Sequence, residues 1–136
     1  MAFFNWNDDY SVGILSIDRQ HKVLIDYINR LNDEICKAEI DRNMLMYILN
    51  GLVGYTKSHF KYEEMLFALH EYPDTDLHKE KHLNLFDRVA EFKSRFDAGD
   101  PGVGDELLAF LKDWLNEHIL KDDKAYSPHM LERNVR

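Results

Sequence analysis

One cysteine, three prolines and six glycines in 136 residues leave little with which to staple or interrupt the chain. Cys36 alone cannot close an internal disulfide, and the paired spacings of thiolate zinc, dithiol redox or c-type haem sites cannot exist with one thiol. A free cysteine is by habit a small buried hydrophobe, so Cys36 is expected in the packed interior. No apolar run reaches about 18 residues, and the opening MAFFNWNDDYS has neither the basic start nor the apolar stretch of a signal peptide. The expectation is a soluble, cytoplasmic protein with no membrane insertion. Basic clusters are missing as well. Asp and Glu number 25 against 17 Lys and Arg, a formal net charge of −8, and nucleic acid is not expected as a partner, because its phosphates are met by clustered cations. The strict apolar–polar alternation of half-buried strands is almost absent, which argues against a sheet.

What the chain does have is helical periodicity and seven histidines. At about 150 residues per domain, the length fits a single domain over residues 1–136. Leu24, Ile28, Leu31 and Ile35 step by four, three and four, predicting a first helix from an Asp18 cap to Lys37. A second is expected from Asp41 to His70 through Leu45, Ile48, Leu52 and Leu66, ended by Pro73. Leu85, Val89, Phe92 and Phe96 mark a third from Thr75 to Ala98. The segment Gly99–Asp105, with Pro101 and half the glycines, reads as a loop. A fourth helix follows from Asp105 to Asp122 through Leu107, Leu108, Leu111, Trp114 and Leu115. The polar tail KAYSPHMLERNVR, broken by Pro128, is expected to be loose or a short helix. Four amphipathic helices with short connections most economically form an all-α, antiparallel up-down-up-down four-helix bundle with an N-terminal arm and a short C-terminal tail.

Extending each apolar stripe by its own period places histidine at the next core position in all four helices. The first stripe begins at His21, three before Leu24. In the second, His59 follows Leu52 by seven, then come Glu63 and Leu66. The third opens His78, His82, Leu85, and the fourth reaches His118 seven after Leu111. One core histidine commonly bonds a backbone carbonyl. Five with a carboxylate are different, since each buried polar group without a partner costs on the order of 2–7 kcal/mol in a domain stable by about 5–15 kcal/mol. A shared metal offsets that cost. In an antiparallel bundle all six residues also fall at one end, where Asp122 and Asp123 join them as candidate carboxylates. Five imidazoles with one or two carboxylates exceed the four positions of a zinc site, so two metals are implied. Ligand softness leaves iron, manganese, zinc and copper open. No Glu-x-x-His pair of the ferritin-like bundles is present, nor an HExxH metalloprotease helix.

The stretches WNDDYSVGILSIDRQH ending at His21, HFKYEE from His59, HKEKH from His78 and WLNEHILKDD from Trp114 give a lone His, HxxxE, HxxxH and HxxxxD in that order. In these motifs the chain resembles the hemerythrin family, in its single-domain bacterial form, over nearly its whole length. The resemblance implies two irons, ferrous without oxygen and ferric with it. One would be held by His78, His82 and His118, the other by His21 and His59, with Glu63, Asp123 and an oxo or hydroxo group bridging. It also implies that Leu115 and Trp114 line an oxygen pocket, and that dioxygen binds reversibly for storage or for delivery to an oxygen-consuming enzyme. Oxygen or redox sensing and a di-iron oxidase or peroxidase are the alternatives. The HxxxxD spacing selects Asp123. Because a step of five turns about 140° around an ideal α-helix, the backbone is expected to depart from α-geometry near the end of the fourth helix. His70 and His129 lie off the seam and are expected to be exposed, Glu64 is expected to face solvent, and Phe60 and Tyr62 are read as packing beside the HxxxE pair.

Overall fold

The computed structural model describes residues 2–136. Among them there is no strand, and four long helices carry the fold: α1 (Leu15–Ile35), α2 (Arg42–Leu69), α3 (Thr75–Asp97) and α4 (Val103–Glu117). Each packs on its neighbours in sequence and α1 also packs on α4, which closes the antiparallel square. The apolar stripes read from the sequence make its long core, including Leu24, Ile28, Leu31, Leu52, Leu85, Val89, Phe92, Leu111 and Leu115. No described helix is long and apolar enough to cross a membrane.

The helix ends show local chemistry that periodicity alone does not reveal. α1 starts three residues before the expected Asp18, after Ile14, which supplies no side-chain cap. Asp18 instead reaches back from the first turn. Its carboxylate accepts from Ser11 Oγ at 2.5 Å and the Val12 amide at 2.9 Å, tying the N-terminal arm to the helix. Asp41 caps α2 as an Asp should, accepting from the Met44 amide at 3.1 Å. Cys36 is exposed, not buried, because it is the C-cap residue of α1, one step past the half-buried Ile35 and outside the stripe. Before α4 the glycine segment is shorter than expected. Gly102, at φ 82°, turns the chain directly into Val103, whose side chain is buried.

The largest departure lies at the other end. After Glu117 the chain makes a six-residue π-helical turn, His118–Asp123, and then a fifth helix, α5 (Lys124–Glu132), with Pro128 inside it. The tail is therefore an ordered helix. Tyr126 and Met130 are fully buried and join Val12, Ile14, Ile17, Leu66, Phe67, Tyr72 and Val135 in a second apolar cluster that closes the end of the bundle. Along every long helix the histidines lie between residues of these clusters or at their edge. In α1, for example, Ile17 belongs to the end cluster and Leu24 to the long core, with His21 between them.

Candidate metal centre

Two apolar clusters with a polar layer between them put an unusual load on that layer. His21, His59, Glu63, His78, His82, His118 and Asp123 are all buried, with Glu63, His21 and Asp123 at 0 % exposure. α1 supplies His21; α2 supplies His59 and Glu63 one turn apart; α3 supplies His78 and His82 one turn apart. The π turn supplies His118 and Asp123. A π turn closes i to i+5 and so brings residues five apart onto one face, which is how both side chains enter the layer. The departure from α-geometry expected near the end of the fourth helix is present there.

The seven side chains converge. His21 Nε2 lies 2.9 Å from one Asp123 oxygen, while His78 Nε2 and His118 Nε2 each lie 3.1 Å from the other. His59 Nε2 is 3.1 Å and His82 Nε2 3.5 Å from Glu63 Oε1, with His78 Nε2 4.0 Å from Oε2. Both carboxylates therefore lie between the His21–His59 pair and the His78–His82–His118 trio. Donor atoms of Glu63, His78, His82 and His118 lie within 4.8 Å of one another, as do those of His21, His59, Glu63 and Asp123. Despite this crowding, both oxygens of Glu63, both of Asp123, and Nε2 of His21, His78, His82 and His118 make no hydrogen bond. So many orphaned polar atoms in a native interior require an explanation. Donors of this type, aimed at common points, fit two cations of the imidazole-binding class.

Electrostatics agree. Burial alone would raise the carboxyl of Glu63, as would the nearby Asp123, yet the His59 and His82 imidazoles hold it well below its ordinary value. Asp123 is likewise held down against its burial, chiefly by His118. Burial would lower His118, but Asp123 and Asp122 push it up to about 10.

Three outward contacts fix the rings. His59 Nδ1 meets Gln20 Oε1 at 2.5 Å, His82 Nδ1 meets Glu64 Oε2 at 2.9 Å, and His118 Nδ1 meets Asp122 Oδ2 at 3.2 Å. With acceptors outside, Nδ1 of these three rings donates outward, so that Nε2, once free of any proton, turns its lone pair inward as a metal ligand needs. Glu64, expected in solvent, is half-buried against His82 because the step of about 100° from Glu63 turns it from the layer toward α3. Asp122, left open as a bridge by periodicity alone, serves the outer nitrogen of His118 and pairs with Lys81. The Tyr126 hydroxyl, unanticipated in the tail, is buried without a partner. Burial, then Glu63 and Asp123, raise its ionisation far above the ordinary tyrosine value.

Next to the layer, a small apolar cavity of about 30 Å³ is lined by Leu24, Phe60, Trp114 and Leu115 among others. Phe60 stacks on His82 at 3.5 Å and Trp114 on His118 at 4.4 Å. Tyr62 is half-buried and donates to Ser16 Oγ at 2.9 Å. His70 and His129 stay out of the layer, though neither is exposed as expected. Both are half-buried, and His129 Nε2 bonds the His70 carbonyl at 2.6 Å, pinning α5 to the end of α2.

Comparison with known proteins follows the same pattern. Residues 12–130 match the family model described as the hemerythrin HHE cation binding domain. A bacteriohemerythrin of Stenotrophomonas maltophilia is 39 % identical over 127 residues, covering 93 % of this chain and 81 % of the relative. One from Methylococcus capsulatus is 33 % identical over 129 residues, covering 94 % and 97 %. The crystal structure of wild-type hemerythrin superposes with a TM-score of 0.84 at 32 % identity, covering 93 % of this chain and 97 % of that one. By fold, by motif order and by these matches, the chain belongs to the hemerythrin family.

Proposed function

We propose that this chain, acting as one domain over residues 1–136, binds dioxygen reversibly at a non-haem di-iron centre and is not an enzyme. The observation that supports this best is the donor set. Five imidazoles and only two carboxylates converge from three helices and the π turn, all buried, with every inward atom but His59 Nε2 unpaired. His78, His82 and His118 would hold one iron and His21 and His59 the other, with Glu63 and Asp123 shared between them. The two-histidine position has fewer protein ligands, which leaves room there for a small molecule. Two irons in the pocket supply the two electrons that dioxygen takes up and returns.

The protein's own part is to hold the donors and keep water out. Gln20, Glu64 and Asp122 fix the ring tautomers, and Glu63 and Asp123 span the two histidine groups. Leu115, buried one turn before His118, and Trp114, stacked on it, wall the adjoining apolar cavity. Such a wall disfavours entry of protons and water, and so favours release of oxygen unchanged. The carrier role, for storage or for supply to an oxygen-consuming enzyme in the cytoplasm, follows from reversibility. A di-iron oxidase or peroxidase, by contrast, is expected to be richer in carboxylates.

The test is optical and stoichiometric. Iron-loaded protein, reduced without air, should contain two irons per chain and develop a visible absorption band on admission of oxygen that vanishes on its removal, over repeated cycles. A single iron per chain, or irreversible bleaching coupled to oxidation of an added substrate, overturns the reading.

A further inference from the structure

The three outer contacts on the histidine rings differ in charge, and the difference follows the division between the two halves of the pocket. On the two-histidine side, His59 meets a neutral amide, Gln20, and His21 Nδ1 is buried with no hydrogen-bond partner. On the three-histidine side, His82 and His118 each meet a carboxylate, Glu64 at 2.9 Å and Asp122 at 3.2 Å. Asp122 is braced by the Lys81 ammonium through its other oxygen. Any acceptor, charged or not, fixes a tautomer. An anion pushes more electron density through the ring than a neutral acceptor does, and it alone adds a full negative charge beside the metal position.

We propose that Glu64 and Asp122 are positioning residues that polarise the pocket, so that of two irons bound there the one at His78, His82 and His118 is the first to be oxidised. This rests on the di-iron reading above. The step concerned is the loss of one electron from the fully reduced centre to a soluble one-electron oxidant, with no bond made or broken. The extra charge that remains is stabilised most where two carboxylates stand behind the ligands. Asp122 is 13 % exposed at its side chain and Glu64 31 %, so water screens Asp122 more weakly than Glu64. Lys81 opposes the effect of Asp122 in part, and this gives the proposal a prediction of opposite sign.

The experiment is an anaerobic redox titration of the iron-loaded full chain, with one-electron mediators, followed by Mössbauer spectroscopy. The chain and its variants Glu64→Gln, Asp122→Asn, Gln20→Glu and Lys81→Met are compared after iron has been counted in each. Glu64→Gln and Asp122→Asn keep an acceptor oxygen on the ring and remove only charge. Each should weaken the ferric preference of the first-oxidised iron about tenfold, which raises the lower of the two potentials by about 59 mV and the upper one by less. Gln20→Glu should lower the upper potential and narrow the gap. Lys81→Met, at the rim, should lower the lower potential, and with Gln20→Glu it decides the matter should either charge-removing variant fail to load. An unmoved lower potential, or equal movement of both, overturns the proposal while leaving two irons per chain intact. Fewer than two irons in the parent chain overturns the underlying reading instead.

Discussion

Leu115 carries two burdens that one substitution separates. It is buried in the long core and lines the apolar cavity beside the histidine layer. Leu115→Ala removes packing that ordinarily contributes about 2–5 kcal/mol, so the melting temperature should fall. If its wall also keeps water from the bound oxygen, the oxygen-loaded form should decay to the ferric form faster, measured as the loss of the visible band in air. An unchanged decay rate alongside the lower melting temperature would reduce Leu115 to packing. At this scale the five histidines and Glu63 were legible because each interrupts an apolar period, a signal a helix cannot hide, whereas Asp123 was separable from Asp122 only through the family's HxxxxD spacing. The outer tasks of Gln20, Glu64, Asp122 and Lys81 were not legible. These residues stand outside the stripe, among polar residues of the kind every exposed face carries, and only the ring that each one faces gives it meaning. Asp18 was legible as a helix-start residue but not in its actual task. Because it accepts from the buried Val12 amide as well as Ser11, Asp18→Ala should cost about 1–3 kcal/mol in thermal or denaturant unfolding.

The end of α2 illustrates what an element hides from its sequence. His70 is the C-cap, and the Tyr72 amide bonds the Phe67 carbonyl at 3.0 Å across Glu71, which sits at φ 51°. This is the six-to-one closure usually made with glycine at the left-handed position, with a proline following, here Pro73. A side chain at such a φ costs about 1–2 kcal/mol, and part of that returns as lost chain entropy when glycine replaces it. Glu71→Gly should therefore stabilise the protein by about 0.5–1 kcal/mol. A rise in melting temperature checks this; a fall would mean that Glu71 makes contacts worth more than its strain. The four long helices were readable to within a few residues from their apolar periods. For α5 a short helix was one of two readings, and its docking was hidden, because its buried residues Tyr126 and Met130 are isolated in a polar run and find their partners on α1, α2 and the N-terminal arm rather than in the bundle seam. The π turn was foreseeable only through the five-residue step between His118 and Asp123, a demand of the site and not of local propensity.

For the whole molecule, the layer of unpaired donors divides two apolar clusters, so removal of metal should be felt as stability. Cations that bind the folded chain and not the unfolded one add about 2.7 kcal/mol when free metal stands at 100 times its dissociation constant. The iron-loaded chain should melt well above the chelator-treated chain, and equal melting temperatures would mean that the layer satisfies itself. The metal-free chain should also respond to pH in a particular way. Its His118 is raised to about 10 by Asp123 and Asp122 against the opposing effect of burial. A raised histidine stabilises fully below its unfolded value of about 6.5, and that contribution is lost as pH climbs through the folded value. Glu63 and Asp123 are depressed, so their contribution is present above about pH 4 and is lost as acid protonates them. The metal-free melting temperature should accordingly be highest between about pH 4 and 6.5 and decline toward pH 10. Metal ligation requires His118 without its proton on Nε2, so loading near neutral pH must release protons and should strengthen as pH rises. The two forms should thus diverge in stability above pH 6.5, the loaded chain holding while the metal-free chain weakens, and parallel pH profiles would show that the imidazoles do not exchange protons for cations.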